Sequence, residues 1–233
     1  MDTVFSTIPD STFFLQKHYI IMHHYNISEI KTWDRFYRAN FINSLQGLKP
    51  VSLIGTVNKV GQPNLAIFSN IVHLGADPAL IGFINRPVDA APHTIQNIEA
   101  TGEYTINHIQ PSFVAAAHQT SAKYAAEQNE FAETGLTAVF KENFNAPFVA
   151  ESAIQYGLQL VEIVPIKHNN TFLVIGSIVH VFLDEALVQK DGFIDVRKAG
   201  SVVSLGIDAY YSTVPIARYE YAKPGKAVKE IEL

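Results

Sequence analysis

Between Pro50 and Asn85 the chain runs three times through a stretch rich in Val, Ile, Leu and Phe, and turn residues separate the stretches. The stretches are Pro50 to Asn58, Asn64 to Leu74 and Ala79 to Asn85. Val60-Gly61-Gln62-Pro63 and Gly75-Ala76-Asp77-Pro78 stand between them. Short apolar runs bounded by glycine and proline read as strands, and the first connection reads as a hairpin. Glu103 to Ile109, Gly157 to Val164 and Thr171 to Leu183 repeat the pattern, with Ile166 to Asn170 as a second hairpin loop. Between these strands, helical pieces are expected at about 93–100 and 113–126. Hairpin-joined strands with few helices favour an antiparallel barrel over a doubly wound parallel sheet. The expected class is therefore mostly β with flanking helices.

Ahead of the strands, a helix is expected from Ser28 to Ser44. Ser28 serves as its N-cap, and Trp33, Phe36, Tyr37 and Phe41 form its core-facing stripe. Residues 1–27 read as an arm of uncertain structure, 28–222 as one domain, and 223–233 as a solvated tail. The first seventeen residues do not read as a signal peptide, because they open on an acid and hold no apolar run with a small-residue cleavage site.

Composition removes several functions. The net charge is -5, and lysine and arginine do not cluster with aromatics, so nucleic acid is not an expected partner. There is no cysteine, which excludes disulfides, thiolate nucleophiles and cysteine-ligated metals and fits a cytoplasmic address. No apolar run approaches the roughly 18–20 residues of a membrane span. The nine histidines lack metal-ligand spacing: His23-His24 are adjacent, and no His-x-His or His-x-x-x-His pair occurs. Glu127, Glu130 and Glu133 read as a solvated acidic face. Gly-x-Gly-x-x-Gly, P-loop and Gly-x-Ser-x-Gly signatures are missing, and Gly176-Ser177 lies inside a strand pattern.

The informative stretch is Asn64 to Ile109. Arg86 ends an apolar strand, and no other arginine lies between Arg38 and Arg197. A guanidinium there needs solvent or an anion. His93 and Thr94 follow where a helix begins, and a helix start with free N–H groups beside an arginine makes a phosphate site. Ala66, Phe68, Ser69 and Asn70 place small and polar groups on an otherwise buried strand, so that backbone can approach a flat ring. Each feature alone also has a plainer reading: Arg86 as a rim residue, Thr94 as a helix cap, Asn70 as a satisfied turn.

Taken in order, these motifs resemble the flavin reductase-like family, whose members use the FMN-binding split barrel. Asn64 to Ser69, Asp77 to Leu80, Arg86-Pro87, His93-Thr94 and Asn97 to Glu103 carry the resemblance. It continues through Gly135-Leu136-Thr137 and Ala146-Pro147-Phe148 to Tyr210-Tyr211, and covers roughly residues 29–221. It implies an FMN phosphate held by Ser69, Arg86, His93 and Thr94. It also implies ring contacts from the strand of Asn64, Ala66, Phe68, Ser69 and Asn70, largely through backbone. Two positions depart from the pattern: His93 stands where many relatives carry lysine, and Ser204 where relatives often carry arginine. The second leaves the nicotinamide side unassigned.

The function implied is that of an NAD(P)H-dependent flavin reductase, in which the flavin carries the chemistry and no catalytic side chain is required. NADH or NADPH is the implied donor. The implied acceptor is a small molecule or a partner oxygenase, and the implied assembly is a homodimer. The alternative is a non-enzymatic FMN-binding electron carrier or flavin-binding module. A scaffold that has lost its cofactor is a third reading.

Overall fold

The computed structural model describes residues 22–125 and 128–231. Most of the expected N-terminal arm, and Glu127, lie outside the described residues. The chain falls into two compact units, one up to Arg38 and one from Ala39 onward.

The expected single helix is two. α1 (Ile27–Thr32) is capped by Asn26 rather than Ser28, its side chain accepting from the Glu29 amide at 3.0 Å. α2 (Arg35–Leu45) restarts after a break at Trp33-Asp34. The Asp34 carboxylate accepts from the amides of Phe36 and Tyr37 at 2.9 and 3.1 Å, an N-cap that the aromatic periodicity ran across. Nor does α2 present a core face: none of its residues is buried, and Phe36 and Tyr37 are exposed.

In the second unit, β1 (Lys49–Pro50) and β2 (Ser52–Val57) lead into β3 (Pro63–Phe68), β4 (Ile71–Ala76) and β5 (Ala79–Asn85). Helix α3 (Pro92–Thr101) and β6 (Glu103–His108) follow, then the short helices α4 (Val114–Gln119) and α5 (Glu130–Thr134). β7 (Ala138–Val139), β8 (Phe148–Val149), the long hairpin β9 (Ile154–Ile166) and β10 (Thr171–Leu183), β11 (Val203–Leu205), β12 (Ala209–Tyr211), β13 (Arg218–Tyr219) and β14 (Glu230–Ile231) complete it. The expected strand Asn64 to Leu74 is broken in two at Ser69-Asn70, and the expected helix 113–126 ends at Gln119.

Seven strands form one antiparallel sheet in the order β3-β2-β6-β9-β10-β5-β4. Its two outermost strands are consecutive in the chain, joined by Ser69 and Asn70 alone. Three peptide steps span at most about 10 Å. The sheet must therefore curl until its edges almost meet, which gives a barrel split between β3 and β4. The bend is assisted by three register shifts, in β4 between His73 and Gly75, and in the β9–β10 pair beside Gly176 and at Val179. Bulges of this kind bend a strand and sharpen its twist. They leave Leu74, Val161 and Val179 exposed.

β2 is buried along its whole length, so its alternating side chains serve two cores. Leu53 packs with Leu65, Ile109, Phe131 and Val149, and Ile54 with Phe83, Ile98, Tyr104 and Val174. Each such side chain contributes about 1.5–3 kcal/mol. Gly176 is set by this second core: a Cβ there would strike the Tyr104 hydroxyl and ring. No helix among the described residues is long and apolar enough to cross a membrane.

Candidate functional site

The end of β5 and the start of α3 are tied by one buried side chain. The Asn85 amide donates to the carbonyls of Arg86 and Ala91 at 2.7 and 3.3 Å, so the strand end and the helix start share one nitrogen. The Asn85 carbonyl oxygen has no partner among the described residues. α3 opens on Ala91 and Pro92 with no side chain capping it and no acid in its first turn. Its leading N–H groups therefore keep their positive end unanswered. Arg86 is exposed beside it and makes no side-chain hydrogen bond or ion pair among the described residues. The other guanidinia of this unit are committed, Arg197 to Asp195 and Arg218 to Asp191.

Thr94 does not cap α3. It is buried, and its hydroxyl accepts from the Asn64 amide at 3.4 Å. The same amide reaches Thr56 Oγ1 at 3.2 Å, which also accepts from the Asn97 amide at 3.0 Å. Asn64, Thr56, Thr94 and Asn97 thus form a polar seam that holds α3 to β2 and β3. Thr56 and Asn97 were not among the expected site residues; the alternation of a polar residue inside an apolar strand was the signal for Thr56.

His93 is half-buried and its charge acts on Glu130. Glu130 is not part of a solvated face, as its sequence neighbourhood suggested. It is buried, and its carboxylate accepts from the Leu65 amide at 3.1 Å, on the side of β3 that has no strand neighbour. Burial raises its pKa, opposed by that hydrogen bond and by His93. Of its acidic companions, Glu133 is exposed and accepts from Gln128 at 3.3 Å.

Along β3 the side chains divide as a strand requires. Leu65 and Ile67 turn to one core. Phe68 packs edge-on against Phe83, ring centroids 4.9 Å apart, so its ring belongs to the other core. Ala66 is half-buried. By ladder alternation, the backbone of Ile67 faces the same open edge as that of Leu65. Ser69 and Asn70 form the corner between β3 and β4, and the Asn70 carbonyl accepts from the Ile84 amide at 3.1 Å. Both line a cleft of about 400 Å³ together with Lys49, Pro50, Ile71 and Ile84. That volume is in the range of small-molecule sites.

The expected residues thus fall into two groups. Asn64 and Thr94 meet directly, with Arg86 and His93 at the same helix start, whereas Ser69 and Asn70 lie at the barrel corner. Lys49, which lines that corner, was missed; a single lysine before an apolar strand gives little warning of burial.

A protein family described as the flavin reductase like domain matches residues 48–197. Among solved structures, a Shewanella frigidimarina NCIMB 400 protein assigned as a flavin reductase with a split barrel domain is 45% identical, covers 86% of this chain and 100% of its own, and superposes with a TM-score of 0.84. Nitrilotriacetate monooxygenase component B from Bacillus cereus is 23% identical over 84% of this chain and 98% of its own, with a TM-score of 0.74. Flavoredoxin of Desulfovibrio vulgaris (Miyazaki F) is 25% identical over 78% and 93%, with a TM-score of 0.64. The order of strands is therefore that of the split barrel, and the chain belongs to the flavin reductase-like family.

Proposed function

We propose that this chain is an FMN-binding oxidoreductase that works as an NAD(P)H-dependent flavin reductase. The observation that carries the reading is the exposed Arg86, without a side-chain partner among the described residues, beside the uncapped start of α3. A phosphate at that point would gain charge-assisted hydrogen bonds from the guanidinium and from the leading N–H groups of the helix. The residues present fit the group: no carboxylate contests Arg86 among the described residues, and the first turn of α3 holds no acid. The open edge of β3, from Ile67 to the Ser69-Asn70 corner, supports the expected backbone contacts to the ring.

When bound, the flavin supplies the electron-accepting chemistry, and the protein supplies binding, orientation and electrostatics. Arg86 and the helix start fix one end of the cofactor. The seam of Asn64, Thr56, Thr94 and Asn97 keeps that helix in register with β3, so phosphate and ring sites hold a constant spacing. His93, as a cation, would add charge at the phosphate end. NADH or NADPH is the proposed donor. A small acceptor or a partner oxygenase is the proposed recipient, a reading supported by the monooxygenase component among the structural neighbours.

The test is direct. Purified protein is expected to take up FMN in stoichiometric amount and to bleach rapidly when mixed anaerobically with NADH or NADPH. Failure to take up FMN would overturn the reading. FMN uptake with bleaching by dithionite but not by either nicotinamide would make the chain an electron carrier, as the flavoredoxin neighbour suggests.

A further inference from the structure

Residues 212–217 cross the surface between two fixed points. Before them, β12 is paired to β11. After them, Arg218 is clamped to its own chain. Its guanidinium donates to the Gln189 side chain at 3.0 Å, pairs with Asp191, and lies with Cζ 4.1 Å from the centroid of the Phe193 ring. Between these anchors the strap makes no hydrogen bond or ion pair among the described residues, and Val214 and Ile216 are 86% and 97% exposed. It carries no charge. Pro215 biases Val214 to extended backbone, and residues two apart on an extended chain project to the same side. A β-branched pair is thus held out in water by a strap that is tied at both ends and has little freedom to turn inward.

The second observation lies across the same small sheet. In the order β1-β11-β12 the strap leaves from one outer strand, and the cleft of about 400 Å³ at the barrel corner opens beside the other. Leu48, Pro50, Ile71, Val72 and Ile84 give that cleft apolar walls, and Leu48 and Val72 are exposed. Its one charged lining residue, Lys49, is buried, with its ammonium donating to the Gly206 carbonyl at 2.9 Å. The outer edge of β4, which carries Ile71 and Val72, has no strand neighbour. A neutral apolar groove beside a free strand edge takes a neutral extended segment, which offers backbone to the edge and side chains to the groove. Proline is tolerated in such an added edge strand, where its missing N–H can face solvent.

We infer that the strap of residues 212–217 of one copy of this chain seats in the barrel-corner cleft of a second copy, with Val214 and Ile216 against Leu48 and Val72. The fit has two halves, and one chain holds both on opposite sides of the β1-β11-β12 sheet, where they do not meet. Two copies related by a two-fold axis satisfy both halves at once, which closes the assembly at a dimer. The inference does not rest on the flavin reading.

The experiment uses the full chain and its lack of cysteine. Ile216→Cys and Leu48→Cys chains are purified apart, mixed, equilibrated and treated with a short bis-maleimide cross-linker. Covalent pairs holding one chain of each kind are expected, well above the pairs that either variant gives alone. Val214→Asp with Ile216→Asp should weaken self-association in sedimentation by about 10-fold or more, because two apolar side chains lose their burial. Val72→Asp should weaken it from the cleft side. All three positions are exposed, so the circular dichroism spectrum should stay that of the native chain. A native chain that sediments as a monomer would overturn the inference. So would self-association that none of these substitutions weakens, or a mixture that gives no more mixed pairs than each variant gives alone. Cross-linking within one chain that carries both cysteines, at a dilution where it is monomeric, would also overturn it by placing the strap in its own cleft.

Discussion

Arg86 follows a largely covered strand, its guanidinium uncommitted among the described residues, and the neighbouring helix start has no side-chain cap. If both serve the cofactor phosphate, Arg86→Ala should weaken FMN by about 10- to 150-fold, or roughly 1.5–3 kcal/mol, and leave riboflavin almost unchanged. Paired titrations with a thermal melt decide this, because a structural arginine would cost both ligands equally and lower the melting temperature. His108 gives a prediction on stability. Burial pushes its pKa down to about 4, and its Nδ1 lies 2.8 Å from Ser201 Oγ. An unfolded histidine titrates near 6.5, so the unfolded chain binds the proton first as pH falls. Stability from the neutral ring is complete above about pH 6.5 and is lost between there and about pH 4, to a total of about 3 kcal/mol. Urea midpoints at pH 7.5 and 4.5 should show a smaller drop for His108→Gln than for the native chain. At this scale the exposed place of Arg86 at the end of β5 was legible, because a guanidinium that follows seven strand residues needs solvent or an anion. Lys49 and Glu130 were not, since burial of a charge depends on what the rest of the fold lays over it.

β3 shows how one element answers its own exposed edge. Its outer side has no strand neighbour, and α5 covers part of it by presenting Glu130 to the Leu65 amide. Unpaired strand edges invite pairing with other chains unless they are covered. Glu130→Ala should leave a buried N–H unsatisfied and cost about 1–3 kcal/mol in denaturant unfolding, with faster hydrogen exchange at Leu65. Glu130→Gln keeps an acceptor and removes a buried charge. Because burial raises the Glu130 pKa, native stability declines as pH rises above the usual glutamate range of about 4.3, and the Gln variant should lose that decline. The strands Ala79–Asn85 and Thr171–Leu183 were readable to the residue because turn signals bound both ends. The break at Ser69-Asn70 was not, because both flanking runs are apolar and the corner holds neither glycine nor proline. The split of the N-terminal helix was written in Asp34, but a continuous aromatic period outweighed it.

For the whole molecule, the three register shifts that help close the barrel leave Leu74, Val161 and Val179 exposed, with Val72 and Val181 nearby in sequence on the same strands. Exposed apolar residues on the long β9–β10 hairpin support the homodimer that the family resemblance implies, since cyclic dimers are the commonest assemblies. Sedimentation should give a dimer, and Val161→Glu with Val179→Glu should shift it toward monomer without unfolding the barrel. A monomer that binds FMN fully would reject the dimer. The sequence by itself determined most strands of the large sheet, the two hairpin turns, the antiparallel class and, through Asn64 to Glu103, the family, because alternation, turn chemistry and motif order are local properties. Tertiary structure alone decided that β3 and β4 close the sheet across two residues. It also decided that Asn64 and Thr94, thirty positions apart, share a hydrogen bond, and that Lys49 faces Ser204. Those juxtapositions depend on how far the sheet curls, which is set by the summed packing of two cores and three bulges and is encoded in no single stretch of chain.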